Sequence, residues 1–424
     1  MKLHRPFHRT SLSLGMLLVL TCGIRSLAQE REVLCSNGDG SFQAESASGI
    51  TVKVAAAKVG GLSTRACEAT LRWDKQNLTI ATNATEFDVD AFGIDLGLGV
   101  PVAAFQVKNS ANQCCMEYKI YSLEKPPRLL RTITGGDFFS AADTDLDGRV
   151  EIWTTDAAAV NGLEKLELAE LDSAPTIVLR FEHNELLDAS SEFQTYFDNQ
   201  IAWLRKQLNP EDLQDFKSTG GKVSASATSS ADRQHRIRQV KIRILEIVWD
   251  YFYSGRESQA WNSLAEMWPD ADVPRIRAAI ADARTHGILS QVAGVSAVKK
   301  SKRVRIFDAI TQSSAGKAEV TPPEPILLRR PPPLGIPDQI SSPTELLLEL
   351  TIDSAGKVRS AEPTGRGKMD AALLLATARW KFIPALNAGR PVASRTRVAV
   401  SLRHDSLNHY RTSIVSFPAP FDET

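Results

Sequence analysis

Apolar and polar residues alternate most regularly in the last quarter of the chain, where the pattern predicts a hairpin. Every second residue from Leu346 to Ile352 is apolar, as in a strand that buries one face. The next four residues, Asp353 to Gly356, have turn chemistry, because Asp can bond its own backbone and Gly adopts a positive φ. The strand pattern resumes at Val358, so we predict a strand, a tight turn and a second strand.

A helix and a long strand are predicted to follow this hairpin. Asp370 is a suitable N-cap, and Pro384 prevents the helix from continuing. Strict alternation from Val392 to Ser401 then predicts the last strand, with one largely apolar side and two arginines on the other. The apolar residues with helical spacing are Ala371, Leu374, Leu375, Ala378 and Phe382.

Four short runs in this region resemble a known family. They are TIDSAGKV from Thr351, WKFIPA from Trp380, NAGRPV from Asn387 and VAVSL from Val398. In this order and spacing they resemble the C-terminal domain of TonB-type energy transducers, over residues 335–405. The chain departs from the family pattern ahead of the first strand, where it has Pro337-Asp338 in place of Tyr-Pro.

The resemblance implies an α+β domain that binds a peptide from an outer-membrane transporter or another envelope protein by strand addition. An alternative is a structural unit that uses this domain for self-association, which would give a homodimer. Carried over by motif, the peptide-binding edge comprises Ser394, Arg395, Thr396, Arg397, Val398, Ala399 and Val400.

The N-terminal residues have the pattern of a secretory signal peptide. A basic start is followed by an apolar run of 14 residues, Ser11 to Ile24, and by the small-residue motif Ser26-Leu27-Ala28. This run is shorter than the roughly 20 residues that span a bilayer. We therefore predict cleavage of residues 1–28 and a periplasmic protein, with membrane attachment only if the segment is retained or lipidated at Cys22.

Charge and cysteine content narrow the classes of partner and compartment. Lys plus Arg and Asp plus Glu both number 50, so no overall charge favours nucleic acid. Four cysteines remain after cleavage, which suits disulfides in an exported protein. We expect Cys35 to pair with Cys67. The adjacent Cys114 and Cys115 could form a vicinal bond or stay reduced.

An acidic loop gives the best metal signal in the chain. Carboxylates at its positions 1, 3, 5 and 9, with a Gly for a sharp turn and a backbone carbonyl at position 7, suit the oxygen ligation of Ca²⁺. The loop resembles those of FG-GAP or integrin-type β-propeller repeats, and the alternative is a solvated turn without metal. The predicted ligands of this structural Ca²⁺ are Asp143, Asp145, Asp147, Arg149 and Glu151.

A degenerate second copy of this loop precedes it by 55 residues. The shift aligns Asp88 with Asp143 and Asp90 with Asp145. A repeat of this length is close to the size of one propeller blade. We therefore predict an all-β domain over residues 29–181, propeller-like or a sandwich.

The middle of the chain, residues 182–310, is predicted to be a helical domain. Its outline of helices and a basic ribbon tip at 299–303 resembles a winged-helix DNA reader, but the signal peptide and the absence of a basic recognition helix argue against nucleic acid. The predicted helices are Leu186–Leu208, Ile237–Tyr253, Ser258–Trp268 and Asp272–His286.

The remaining segments complete a multidomain chain. Residues 311–334 form a Pro-rich linker and residues 406–424 a tail. The sequence contains no G-x-S-x-G, H-E-x-x-H, P-loop or Rossmann glycine motif. We therefore expect a non-enzymatic, exported protein.

Overall fold

The computed structural model describes eleven segments of the chain: residues 34–36, 41–58, 65–109, 114–171, 175–219, 231–297, 303–309, 320–327, 344–364, 376–404 and 410–416. The predicted signal peptide, 1–28, lies outside the described residues. Among the described helices, none is long and apolar enough to cross a bilayer.

The regular elements of the described chain before residue 189 are twelve strands, one short helix and two 3₁₀ turns. The helix α1, Ala157–Val160, follows the tenth strand. The strands are β1 Cys35–Ser36, β2 Phe42–Glu45, β3 Thr51–Lys58, β4 Arg65–Trp73, β5 Gln76–Ala84, β6 Glu86–Ile94, β7 Val102–Lys108, β8 Met116–Ser122, β9 Leu129–Ala142, β10 Glu151–Asp156, β11 Thr176–Glu182 and β12 Glu185–Asp188.

These strands form two sheets that share a core. Strands β2 to β5 form a four-stranded sheet, whereas β1 and β6 to β12, with β13 (Gly294–Val295), form an open nine-stranded sheet. One apolar cluster joins Val52 and Leu71 of the small sheet to Phe87 and Phe105 of the large one. A disulfide links Cys35 to Cys67, the pairing expected from the sequence, and so ties the two sheets together.

The proposed repeat does not correspond to propeller blades. Asp88 and Asp90 lie within strand β6 rather than in a loop, because the neighbouring strand β7 pairs along this segment. The acidic loop at 143–150 joins β9 to β10 of the same nine-stranded sheet. The propeller-like expectation is therefore wrong, and the two sheets share one apolar core.

Helices cover the other face of the large sheet. Its core includes Ile120 and Leu179 from the sheet with Phe197 and Trp249 from the helices. The helices are α2 Gln194–Gln207, α3 Pro210–Ser218, α4 Ala231–Tyr253, α5 Glu257–Met267 and α6 Val273–Thr285. Short 3₁₀ turns are Leu163–Lys165, Leu168–Glu170, Ser190–Glu192, Asp270–Asp272 and Ile288–Gln291. The helical region is thus continuous in packing with the β region.

The predictions of helices α4, α5 and α6 are confirmed, but the structure differs from the prediction at two points before α4. Residues predicted to begin the first helix form β12 instead, because they pair with β11. Helix α3 was not predicted. The Asn209 side chain accepts from the backbone N–H groups of Glu211 and Asp212, and Pro210 occupies the first helical position.

Asp156 joins the sheet to the helices and is expected to make stability depend on pH. Its buried carboxylate accepts from Tyr253 Oη at 2.7 Å and from Ile288 N at 2.9 Å. Burial raises the pKa of this carboxyl. The folded state therefore holds the proton more tightly than the unfolded state, and the stability that protonation provides is lost as pH rises above the ordinary value of about 3.9.

The measurement is urea unfolding of the wild type and Asp156→Asn at pH 4 and pH 7. The amide can keep both hydrogen bonds but cannot ionise. The free energy of unfolding of the wild type should therefore fall relative to that of the variant as pH rises. A difference that changes in favour of the wild type as pH rises would contradict the raised pKa.

The C-terminal region contains a second mixed sheet. The strands of this region are β14 Phe307–Asp308, β15 Glu324–Leu327, β16 Thr344–Ile352, β17 Val358–Pro363, β18 Lys381–Ile383, β19 Ala385–Asn387, β20 Arg390–Val392, β21 Ser394–His404 and β22 Tyr410–Ser416. The mixed sheet comprises β14, β16, β17, β21 and β22, whereas β15 pairs with β18 and β19 with β20 in two separate two-stranded sheets. Strand β16 lies between β17 and β21, and both β14 and β22 pair with β21. The apolar core of this sheet includes Leu350, Val398, Trp380 and Phe382.

Three expectations about the C-terminal region are wrong. Phe382, placed on the predicted helix, lies in β18, which pairs with β15. That pairing also places part of the predicted linker, residues 324–327, in a sheet. The predicted tail contains β22, which adds a strand to β21. The first part of the predicted helix, residues 370–375, lies outside the described residues.

Candidate functional site

The predicted peptide-binding edge is already paired along part of its length. Strand β14 runs parallel to β21 and pairs Phe307 with Ser394 and Asp308 with Arg395. The expectation that residues 394–400 form an open edge is therefore wrong at its first two residues.

The other end of this edge is covered by β22. This strand is antiparallel to β21 and pairs with residues 399–404, Ile414 opposite Val400 and Thr412 opposite Leu402. Ala399 and Val400, two more residues of the predicted edge, are thus covered by the chain's own backbone. The same pairing demonstrates that this edge can support an antiparallel ladder.

The two faces of β21 differ in chemistry. Val398 and Val400 are fully buried in the core of the sheet. On the opposite face, Arg395 and Arg397 form ion pairs with Glu349 of β16, at 3.2 and 3.4 Å. A strand added beside β21 therefore meets an apolar face and a charged face.

The acidic loop brings three predicted ligands together. The carboxylates of Asp143, Asp145 and Asp147 each offer an oxygen, and these oxygens lie within 4.8 Å of one another. The turn is built by Asp143, whose oxygens accept from Asp147 N at 2.9 Å and Gly148 N at 3.1 Å. Gly148 has a φ of +88°, a left-handed conformation that suits the sharp turn predicted at this glycine. Such a triad can hold a metal ion.

Of the other two predicted ligands, Arg149 was expected to offer its backbone carbonyl, and Glu151 its carboxylate, which is engaged elsewhere. The Arg149 guanidinium pairs with the Asp147 carboxylate at 2.6 Å, and so neutralises part of the loop itself. Glu151 is fully buried and accepts from Arg180 at 2.8 Å and from Thr144 N at 3.0 Å. Sequence spacing alone could not reveal Arg180, which comes from the neighbouring strand β11.

Burial makes the negative charge of this loop costly. It raises the pKa of Asp143 to about 6, and the nearby Asp353 carboxylate adds to the shift. The pKa of Asp145 is raised as well, because partial desolvation of its carboxyl in the folded loop and the charge of Asp147 both disfavour its ionised form. A bound cation would relieve both effects, because it favours the ionised carboxylates.

The degenerate copy of the loop binds lysines of the C-terminal region instead of a metal. Asp90 is buried, and its Oδ1 accepts from Lys357 Nζ at 2.6 Å, while its Oδ2 accepts from Tyr118 Oη at 2.7 Å and Ala141 N at 2.8 Å. Asp88 forms an ion pair with Lys381. These two carboxylates, which the sequence assigned to a lost metal loop, are therefore balanced by ammonium groups.

The tip of the β16–β17 hairpin also contacts the intact acidic loop. Asp143 N donates to Asp353 Oδ2 at 3.1 Å, and Ser354 Oγ donates to Asp143 Oδ2 at 3.0 Å. Together with the bonds from Lys357, these contacts hold the C-terminal sheet against the nine-stranded sheet. No sequence signal points to these pairs, because the partners are more than 200 residues apart.

The chain was compared with models of protein families, with curated proteins and with solved structures. None of the three comparisons found a match.

Proposed function

We propose that this is an exported, non-enzymatic periplasmic protein that binds an extended peptide of an envelope or outer-membrane transport partner at the edge of β21. The observation that carries the proposal is the antiparallel ladder between β21 and β22. An edge that already accepts one strand has its backbone donors and acceptors in the geometry that another strand needs.

The docking of the C-terminal sheet supports this proposal. The buried contacts of Asp353, Ser354 and Lys357 hold the β16–β17 hairpin, and β16 in turn pairs with nine residues of β21 from Ser394 to Leu402. A fixed edge loses little conformational entropy when a peptide binds, so more of the ladder energy is available for affinity.

Fluorescence anisotropy tests this function with labelled synthetic peptides from the periplasmic N-terminal segments of outer-membrane transporters. The matched control is the same peptide with backbone N-methyl groups on two successive residues. Successive N–H groups point to opposite sides of a strand, so this change removes at least one ladder donor and keeps every side chain. We expect saturable binding that the N-methylated peptide loses.

Two results would contradict strand addition. One is no binding by any of these peptides. The other is binding that N-methylation leaves unchanged. Sedimentation velocity over a range of concentrations tests self-association separately, since a dimer that forms without peptide would favour the structural role.

We also propose that Ca²⁺ binds Asp143, Asp145 and Asp147 and stabilises the β9–β10 loop. The close approach of three carboxylates supports this, although the triad would suit other hard cations as well. With a dissociation constant in the range of about 0.1–1 mM, as in extracellular modules, about 5 mM Ca²⁺ should add about 1–2 kcal/mol to the free energy of unfolding.

The variant that checks this prediction is Asp145→Asn. Asp145 is the exposed member of the triad, so its substitution should leave the fold intact and abolish the effect of Ca²⁺ on the melting temperature. Isothermal titration without heat, together with an unchanged melting temperature of the wild type, would exclude the site.

A further inference from the structure

The register between β21 and β22 carries an inference about how a partner binds. We propose that β22 holds the place of the partner peptide, which binds antiparallel to β21, in the register of β22, after β22 is displaced. This inference rests on the proposed function.

The ladder defines the register of the incoming strand. Ser401 pairs with Ser413, and Arg403 pairs with Arg411. Only residues 405–409 separate the two strands in the sequence. The partner would occupy the row of positions opposite residues 399–404.

The hydrogen bonds of β14 show which residues of β21 face this edge. Arg395 O accepts from Ala309 N at 2.9 Å, so the backbone groups of Arg395 point away from β16. They face the outer edge of β21, where β14 and β22 pair. The pairing of β21 with β16 continues without a register shift from Ser394 to Leu402. Because backbone groups alternate along a strand, Ser401 and Arg403 also point outward. Their partners in β22, Ser413 and Arg411, therefore point their N–H groups toward β21.

The faces of β21 define the residue type that the partner needs. Residues directly opposite each other in an antiparallel pair lie on the same face of the sheet. Val400 is fully buried with Leu348 and Leu350 in the core of this sheet. The partner is thus an extended segment with an apolar residue opposite Val400, as Ile414 is in β22. The next residue of the partner lies on the opposite face of the sheet, because side chains alternate along a strand.

Competition with β22 would weaken the binding of any partner. A short connection gives the tethered strand an effective concentration on the order of millimolar. A chain that ends at His404 should therefore bind transporter peptides at least about tenfold more tightly than the full chain.

The first experiment measures anisotropy of a labelled peptide of residues 409–417 with the full chain and with the chain ending at His404. We expect tight binding to the shortened chain only. N-methylation of the peptide at Ser413 should abolish binding, whereas N-methylation at Thr412, whose N–H points away from β21, should preserve it. Equal effects of the two N-methyl groups would overturn the register.

The second experiment uses the transporter peptides. If they bind the shortened chain about tenfold more tightly than the full chain, both proposals are supported. Equal affinity for the two chains would overturn the place-holding role of β22 and leave the peptide-binding function standing. Binding to neither chain, while the 409–417 peptide still binds the shortened one, would overturn the peptide-binding function.

A full-length variant covers the case in which the shortened chain does not fold. Ser413→Pro removes the N–H that points toward β21 and so weakens β22 in place, and Thr412→Pro is the matched control. Transporter peptides should bind Ser413→Pro more tightly than Thr412→Pro. The same affinity for both would contradict the inference.

Discussion

Replacing Lys357 with methionine is expected to lower the free energy of unfolding by about 3–5 kcal/mol, because it leaves the Asp90 carboxylate buried without its counter-charge. Methionine keeps most of the volume of the side chain, so the loss reports the charge and its hydrogen bonds. Lys357 Nζ also donates to the backbone carbonyl of Asp90 at 2.9 Å, and that acceptor would lose its partner too.

Urea unfolding of the purified variant gives the measurement, and Lys119→Met is the matched control. Lys119 pairs with Glu117 on the more exposed side of β8, where an ion pair contributes about 0–1 kcal/mol. The double variant Asp90→Asn/Lys357→Met should recover part of the loss, because the amide oxygen can still accept a hydrogen bond. A Lys357→Met variant no less stable than Lys119→Met would show that the buried pair does not hold the sheets together.

Replacing Gly356 with alanine is expected to destabilise the C-terminal sheet by at least about 3 kcal/mol, because two penalties add. Gly356 has a φ of +83°, which L-residues rarely adopt. A Cβ at this position would also overlap the backbone carbonyl of Phe382. That strand cannot move away freely, because Phe382 N donates to Gly356 O at 2.9 Å.

Gly389→Ala separates the two penalties. Gly389 has a similar φ of +78°, but a Cβ there would meet nothing within 4 Å. This variant should lose only about 1–2 kcal/mol, the cost of the left-handed conformation. Equal losses for the two variants, measured by urea unfolding, would show that the close approach of Phe382 to the turn is unimportant.

The sequence predicted the elements whose patterns are local. Strand β16, the turn at Gly356 and helices α4 to α6 are confirmed, because alternation, turn residues and helical spacing are all short-range signals. Strand β15 was not predicted, since the prolines around it indicate a linker. It tolerates Pro325 because its described pairing, with β18, lies on one side only.

The site was harder to predict than the elements, because its character depends on distant partners. Spacing placed Asp143, Asp145 and Asp147 together correctly, as residues of one loop. It could not show that Glu151 is bound by Arg180 or that Asp90 is balanced by Lys357, since these partners lie on other strands. The pairing of β22 was missed for the same reason: a short strand in a tail has no signal that names its neighbour.

Amide hydrogen exchange of the full chain during a titration with transporter peptide tests the central claim most directly. If the peptide replaces β22 on β21, the amides of Arg411 and Ser413 should exchange faster as peptide is added. The amides of Ser401 and Arg403 should stay protected, because the peptide replaces β22 as their hydrogen-bond partner. Unchanged exchange at all four amides with saturating peptide would contradict binding at this edge.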